Sequence, residues 1–158
     1  MMLAVIGSAS CDDLVAAQAE AVGREIARRG AVLVCGGRGG VMEAACRGAK
    51  AEGGTTVGIL PGPDRGAANP YVDVPIVTGL GEARNAVVVR AADAVIAISG
   101  GYGTLSEIGL AFKMGRPVVG LDTWELYQGG RPVGAVQAAE GPAQAVELAW
   151  ALVMKKGP

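Results

Sequence analysis

The chain has 158 residues, of which 51% are hydrophobic but only 4% are aromatic, and its formal net charge is −1. A nearly neutral chain without a basic run argues against a broad nucleic-acid contact, and the lack of an apolar run of ~18 residues argues against a membrane span. With no His and three Cys, the composition also disfavours zinc sites, disulfide frameworks and every His-dependent mechanism. We therefore expect a cytoplasmic protein whose residues 1–158 form a single domain.

Strand and helix patterns alternate along the chain. In chain order the sequence predicts a strand at 3–7, a helix at 12–29, a strand at 31–37, a helix at 39–50, a strand at 55–60, a long loop at 61–75, a short strand at 75–79, a helix at 82–91, a strand at 92–98, a helix from the turn at 99–104 to about residue 114, a strand at 117–121 and a helix at 142–154. Strands that are apolar on both faces and separated by helices are typical of a parallel sheet covered on both sides. The expected fold is α/β: a Rossmann-like, doubly wound, mostly parallel sheet with helices on both faces.

Glycine-rich segments follow four of the predicted strands, and they read GSAS at 7–10, CGGRGG at 35–40, LPGP at 60–63 and SGGYGT at 99–104. The carboxyl ends of parallel strands share one edge of the sheet, which is where such folds bind ligands. None of these segments matches the dinucleotide fingerprint or the phosphate loop of kinases and ATPases. The four lysines are also poorly placed to hold pyridoxal phosphate.

The segment SGGYGT can instead bind a single phosphate through its backbone N–H groups, because it opens a helix whose N-terminus attracts anions. The second glycine turn, with Arg38 as a charged donor, fits the same role less strongly. The candidate ligand-binding residues lie in three of these turns: Gly7, Ser8, Gly36, Gly37, Arg38, Gly39, Gly100, Gly101, Tyr102, Gly103 and Thr104. No residue pattern indicates a metal site.

Glu107 and Arg84 each allow two interpretations. Thr104 and Glu107 have the spacing of a capping box, in which Thr104 would cap the helix and Glu107 would reach back. Alternatively Glu107 faces the ligand as a functional carboxylate. Arg84 fits either a solvated helix arginine or a partner of that carboxylate.

Three ordered motifs resemble the LOG family, whose members are often labelled lysine decarboxylases. SGGYGTLSE at 99–107 resembles the family signature PGGxGTxxE. EARNAVVVRAADAVIAI at 82–98 resembles its Arg-Lys helix with the following strand, and GGRGGVMEAACRGA at 36–49 resembles its second glycine turn. The resemblance covers roughly residues 3–120.

The resemblance implies a hydrolase that cleaves the N-glycosidic bond of nucleoside 5′-monophosphates to base and ribose 5-phosphate, with no required cofactor. A carboxylate beside the ribose would stabilise the positive charge that develops there. By position, Arg84 and Glu107 would be the catalytic pair, and the 5′-phosphate would be held by Gly100, Gly101, Gly103 and Thr104.

Where the chain departs from the LOG signature, it resembles a sister branch of the SLOG superfamily. That branch includes molybdenum cofactor carrier proteins. Ser99 replaces a proline, Asn85 replaces a lysine, and GLGEA at 79–83 replaces a His-containing run. The alternative function is therefore a non-catalytic carrier for a phosphorylated nucleotide or pterin. An enzyme requires Glu107 to face the cleft near Arg84, whereas a carrier tolerates Glu107 as a cap.

The helix that contains NAVVVRAA, at 85–92, is apolar nearly all round. Such a helix is usually buried, and here a second subunit can bury it. We therefore expect a homo-oligomer, either a dimer or a tetramer.

Overall fold

A parallel sheet of seven strands lies at the centre of the part of the chain that the computed structural model describes, residues 1–133 and 136–156. Its strands are β1 (Met2–Ile6), β2 (Val32–Cys35), β3 (Thr56–Leu60), β4 (Val74–Val77), β5 (Ala94–Ile98), β6 (Val118–Leu121) and β9 (Val136–Ala138). The spatial order is β4-β3-β2-β1-β5-β6-β9, and each neighbouring pair is parallel. A two-stranded antiparallel hairpin, β7 (Tyr127–Gln128) with β8 (Arg131–Pro132), stands apart from this sheet.

Helices cover both faces of the sheet, which confirms the predicted α/β class. They are α1 (Asp13–Arg28), α2 (Val41–Ala51), α3 (Asn85–Ala91), α4 (Tyr102–Lys113) and α5 (Pro142–Lys156). Buried residues of α1, α2 and α5 share one aliphatic core with one face of the strands. Buried residues of α3 and α4 share a second core with the other face.

Glycine allows α1 and α2 to pack closely. A Cβ added at Gly23 of α1 would collide with the backbone carbonyl of Ala45 in α2. A Cβ added at Gly48 of α2 would collide with the carbonyl of Glu20 in α1. This contact fixes α2 against α1, and the second glycine turn directly precedes α2.

Several predicted elements differ from those in the structure; β2 ends two residues before its predicted end, and β5 begins two residues after its predicted start. The predicted helix at 82–91 is a 3₁₀ turn, Gly81–Arg84, followed by α3. The short strand β4 begins one residue earlier and ends two residues earlier than expected. The hairpin and β9 were not predicted, because these strands are short and mostly exposed. The backbone of β6 supplies the pairing of β9, and no apolar run marks that strand in the sequence.

No helix among the described residues has the length and apolarity needed to cross a membrane.

Candidate functional site

A cleft of about 470 Å³ opens at the carboxyl ends of β1, β2 and β5. The strand order reverses direction beside β1, and this switch point is where doubly wound sheets bind ligands. The lining residues come from the end of β1, the turns after β1, β2, β3 and β5, the 3₁₀ turn, the first residues of α2 and α3, and α4: Val5, Ile6, Gly7, Ser8, Ala9, Gly36, Arg38, Met42, Pro61, Gly81, Glu82, Arg84, Asn85, Gly101, Gly103, Thr104 and Glu107.

The first and second glycine turns are bound to each other. The backbone N–H of Val41, the first residue of α2, donates a hydrogen bond of 3.0 Å to the carbonyl oxygen of Ser8. A Cβ added at Gly7 would lie 2.6 Å from the Val41 side chain. The Ser8 hydroxyl faces the third turn, since its Oγ lies 3.9 Å from where a Cβ of Gly101 would stand. The three turns therefore form one continuous wall.

The third turn presents a helix N-terminus to the cleft. Ser99 and Gly100 both have positive φ angles, of 49° and 106°, which turns the chain sharply from β5 into α4. Gly101 is the N-cap and makes no side-chain capping bond. The first N–H groups of α4 have no acceptor within the helix, so they are available to a bound anion. The side chain of Thr104 packs against Gly100, where any Cβ would collide with it.

Glu107 is not part of a capping box. Helix α4 begins at Tyr102, so Thr104 is its third residue and Glu107 its sixth. Both side chains are buried, with 3% and 7% of their surface exposed, and both line the cleft. The capping interpretation was therefore wrong, because the glycine turn starts the helix two residues before Thr104.

Glu107 and Arg84 are buried groups of opposite charge at the cleft, and the charge of each shifts the pKa of the other. Burial raises the pKa of Glu107 to about 7, although the charge of Arg84 acts in the opposite direction. Burial also lowers the pKa of Arg84, whose side chain lies against Gly36. Among the described residues, Arg84 Nε has no hydrogen-bond partner. A buried donor without a partner is costly, so this group is ready to bind a polar ligand.

The structure brings most of the predicted site residues together. Nine of them line the cleft: Gly7, Ser8, Gly36, Arg38, Arg84, Gly101, Gly103, Thr104 and Glu107. Gly37, Gly39 and Gly100 shape the turns behind its surface and do not line it. Tyr102 points away from the cleft: its side chain is 83% exposed, and its ring centroid lies 5.9 Å from that of Trp124.

Asn69 does not line the cleft but supports it, and the sequence analysis missed this residue. Its backbone N–H donates to the carbonyl of Gly37, and its side-chain Nδ2 donates to the carbonyl of Arg38, both at 2.9 Å. Its Oδ1 accepts a bond of 3.1 Å from the N–H of Tyr71. The long loop thus holds the second glycine turn in place. The Asn-Pro pair at 69–70 marks a turn, but nothing local indicates a contact 31 residues away.

Seven further lining residues lie in segments that the sequence analysis discussed but were not named as candidate site residues: Val5, Ile6, Ala9, Met42, Pro61, Gly81 and Glu82. Asn85, noted as a departure from the LOG signature, lies at the cleft and donates from Nδ2 to Ser106 Oγ at 3.4 Å.

Relatives of known sequence include an uncharacterized archaeal protein and a bacterial phosphoribohydrolase. An uncharacterized protein of Archaeoglobus fulgidus is 44% identical over 131 residues, which cover 83% of this chain and 86% of that protein. The cytokinin riboside 5′-monophosphate phosphoribohydrolase of Mycobacterium tuberculosis is 37% identical over 117 residues, 68% of this chain and 63% of that enzyme.

Solved structures match over nearly the whole chain. The molybdenum cofactor binding protein of Rippkaea orientalis has a TM-score of 0.86 and 37% identity, and the match covers 96% of both chains. The molybdenum cofactor carrier protein of Chlamydomonas reinhardtii has a TM-score of 0.83 and 35% identity, covering 97% of this chain and 98% of that one.

The family model described as the SLOG cluster4 family matches residues 1–148. This match covers every strand of the sheet and each glycine turn of the cleft. The chain therefore belongs to the SLOG cluster4 family, as the resemblance to the LOG proteins and their carrier-containing sister branch predicts.

Proposed function

We propose that this protein binds a small phosphorylated ligand in the cleft and acts as a carrier for a phosphate-bearing pterin of the molybdenum cofactor type. The observation that carries this proposal is the extent of the likeness. The molybdenum cofactor proteins of Rippkaea orientalis and Chlamydomonas reinhardtii superpose on 96% and 97% of this chain, with TM-scores of 0.86 and 0.83.

The chemistry of the cleft supports a phosphorylated ligand. The free N–H groups at the start of α4 suit a phosphate, and Thr104 adds a hydroxyl donor. Beyond the phosphate, Glu107 with a pKa of about 7 can either donate or accept a hydrogen bond near neutral pH. A pterin ring carries both donors and acceptors on its amide edge, so one such carboxyl can match either.

The position of Asn85 also supports a carrier. The LOG signature has a lysine at this position. Here the uncharged side chain of Asn85 instead donates a hydrogen bond to Ser106 of α4. The cleft therefore has one cation fewer beside Arg84. A cation beside the base would help the base to leave, so the loss of this cation favours binding of the ligand without bond cleavage.

A transfer assay tests the carrier function. Molybdenum cofactor released from a molybdoenzyme is incubated with the protein, separated by gel filtration, and offered to a cofactor-free molybdoenzyme. We expect the cofactor to elute with the protein and to restore the activity of the recipient enzyme. Thr104→Val should elute without it, whereas Gly109→Ala, on the exposed side of α4, should carry it as well as wild type. Failure of the wild-type protein to retain the cofactor contradicts the proposal.

A second candidate is the phosphoribohydrolase, and one observation favours it. Glu107 faces the cleft beside Arg84, which is the arrangement expected of an enzyme. The assay incubates wild type and Glu107→Gln with AMP, GMP, CMP and UMP and follows free base by chromatography. If wild type releases base and Glu107→Gln does not, the protein is a hydrolase and not a carrier. If wild type releases no base, the hydrolase function is excluded.

A further inference from the structure

We infer that this protein has a second subsite, which takes the base of a nucleoside joined by a pyrophosphate bridge to the group in the cleft. The inference rests on the proposed phosphate site at the start of α4. The subsite is a second cavity, of about 400 Å³, at the carboxyl ends of β6 and β9. That volume is within the ~300–1,000 Å³ typical of small-molecule sites.

The third glycine turn separates the two cavities. Thr123 lines the second cavity, and its Oγ1 donates a bond of 2.6 Å to the carbonyl of Ser99. Trp124 also lines it, and its Nε1 donates a bond of 3.1 Å to the carbonyl of Gly101. Gly101 in turn lines the cleft. A ligand whose phosphates rest on this turn can therefore extend into both cavities.

Aromatic side chains gather on this side of the turn. The whole chain has two Trp, three Tyr and one Phe, and half of these six lie here. Trp124 and Tyr127 line the cavity, and the ring of Tyr102 lies beside that of Trp124, tilted by 34° with 5.9 Å between the ring centroids. Tyr102 and Tyr127 are 83% and 62% exposed, so the aliphatic core does not account for them. Exposed aromatic rings beside a phosphate site are suited to stacking a base.

The negative charge of the second cavity favours a base over a further phosphate group. Asp122 and Glu125 line the second cavity, and its described lining contains no Lys or Arg. Asp122 accepts a hydrogen bond of 3.2 Å from Gln18 Nε2. These carboxylates repel phosphate, so the pyrophosphate stays on the glycine turn. They attract N–H donors, such as the exocyclic amino group of adenine, guanine or cytosine.

Calorimetry and fluorescence test the subsite with three probes: AMP, ADP and diadenosine 5′,5′-diphosphate. The host is Trp150→Phe, which leaves Trp124 as the single tryptophan. We expect the diadenosine compound to bind at least tenfold more tightly than AMP and ADP and to quench Trp124. ADP controls for the added charge, since it has a second phosphate but no second base.

One variant locates the gain. Tyr127→Ala should bring the affinity for the diadenosine compound to within about threefold of that for ADP, with AMP binding unchanged. AMP binding shows that the glycine turn is intact in this variant. Equal affinities of ADP and the diadenosine compound in the host, or a gain that survives Tyr127→Ala, overturn the subsite alone. If none of the three probes binds, the phosphate site itself fails and the subsite fails with it.

Discussion

The Glu107 carboxyl makes the stability of the protein depend on pH. Its pKa is raised by burial from an ordinary value of 4.5 to about 7. Between these values the folded state keeps a proton that the unfolded chain has lost. The free energy of unfolding should therefore fall as pH rises from about 4.5 to about 7 and level off above that. From pH 5 to pH 8 the expected loss is about 2–3 kcal/mol.

Glu107→Gln tests this prediction, because glutamine has a similar shape but does not titrate. Denaturant unfolding at pH 5, 6, 7 and 8 should show that this part of the pH dependence disappears in the variant. The free energy of unfolding of the variant, measured relative to that of wild type, should therefore be about 2–3 kcal/mol higher at pH 8 than at pH 5. Parallel pH curves for the two proteins would mean that Glu107 is not a buried, raised-pKa group.

Asn69 should stabilise the second glycine turn. Asn69→Ala removes the side-chain bonds to the Arg38 carbonyl and the Tyr71 N–H. Because Asn69 is only 8% exposed, we expect the free energy of unfolding to fall by about 1–3 kcal/mol. Asp64→Ala in the same loop, which removes an exposed bond to the Gly66 N–H, should cost less than about 1 kcal/mol. Equal losses in the two variants would contradict the role of Asn69.

At the scale of one helix, the position of α4 explains why Glu107 was ambiguous in the sequence. Its side chain reaches the cleft because α4 begins at Tyr102 and not after Thr104. The sequence TLSE is compatible with both starts. The positive φ angles of Ser99 and Gly100 decide between them, and a positive φ at a serine is not predictable from local residue type.

Two glycine-to-alanine changes should have opposite effects on stability. Gly109 of α4 is exposed and has open space around it, so Gly109→Ala should stabilise the protein by about 0.5–1 kcal/mol. Gly23 of α1 lies against the Ala45 carbonyl of α2, so Gly23→Ala should destabilise it by about 1–3 kcal/mol. Thermal unfolding monitored by circular dichroism measures both. A loss of stability in both variants would refute the assignment of Gly109 to an open helix face.

At the scale of the whole molecule, the sheet was predictable and its longer-range contacts were not. Strands such as AVIAI at 94–98 are buried on both faces, which leaves a continuous apolar run in the sequence. The carboxyl ends of parallel strands lie at one edge of the sheet, so the sequence also predicts that the glycine turns lie together there. Asn69 and β9 depend on distant backbone partners, and neither leaves a periodic pattern.

We propose that the protein forms a homo-oligomer, because several apolar side chains are exposed. Val74 and Ile76 on edge strand β4 are 46% and 43% exposed, Leu80 is 53% exposed and Val87 of α3 is 36% exposed. Sedimentation equilibrium at micromolar concentration should give the mass of a dimer or tetramer. Val87→Glu should shift that distribution toward the monomer. A wild-type protein that sediments as a monomer would contradict the prediction.

The start of α4 should recognise a phosphate group on the ligand. Calorimetric titration with a pterin monophosphate and with its dephosphorylated counterpart tests this most directly. We predict that the phosphorylated compound binds about 100-fold more tightly, equivalent to about 2.7 kcal/mol, and that Thr104→Val reduces the ratio. Equal affinities for the two compounds, or no binding of either, would contradict the account.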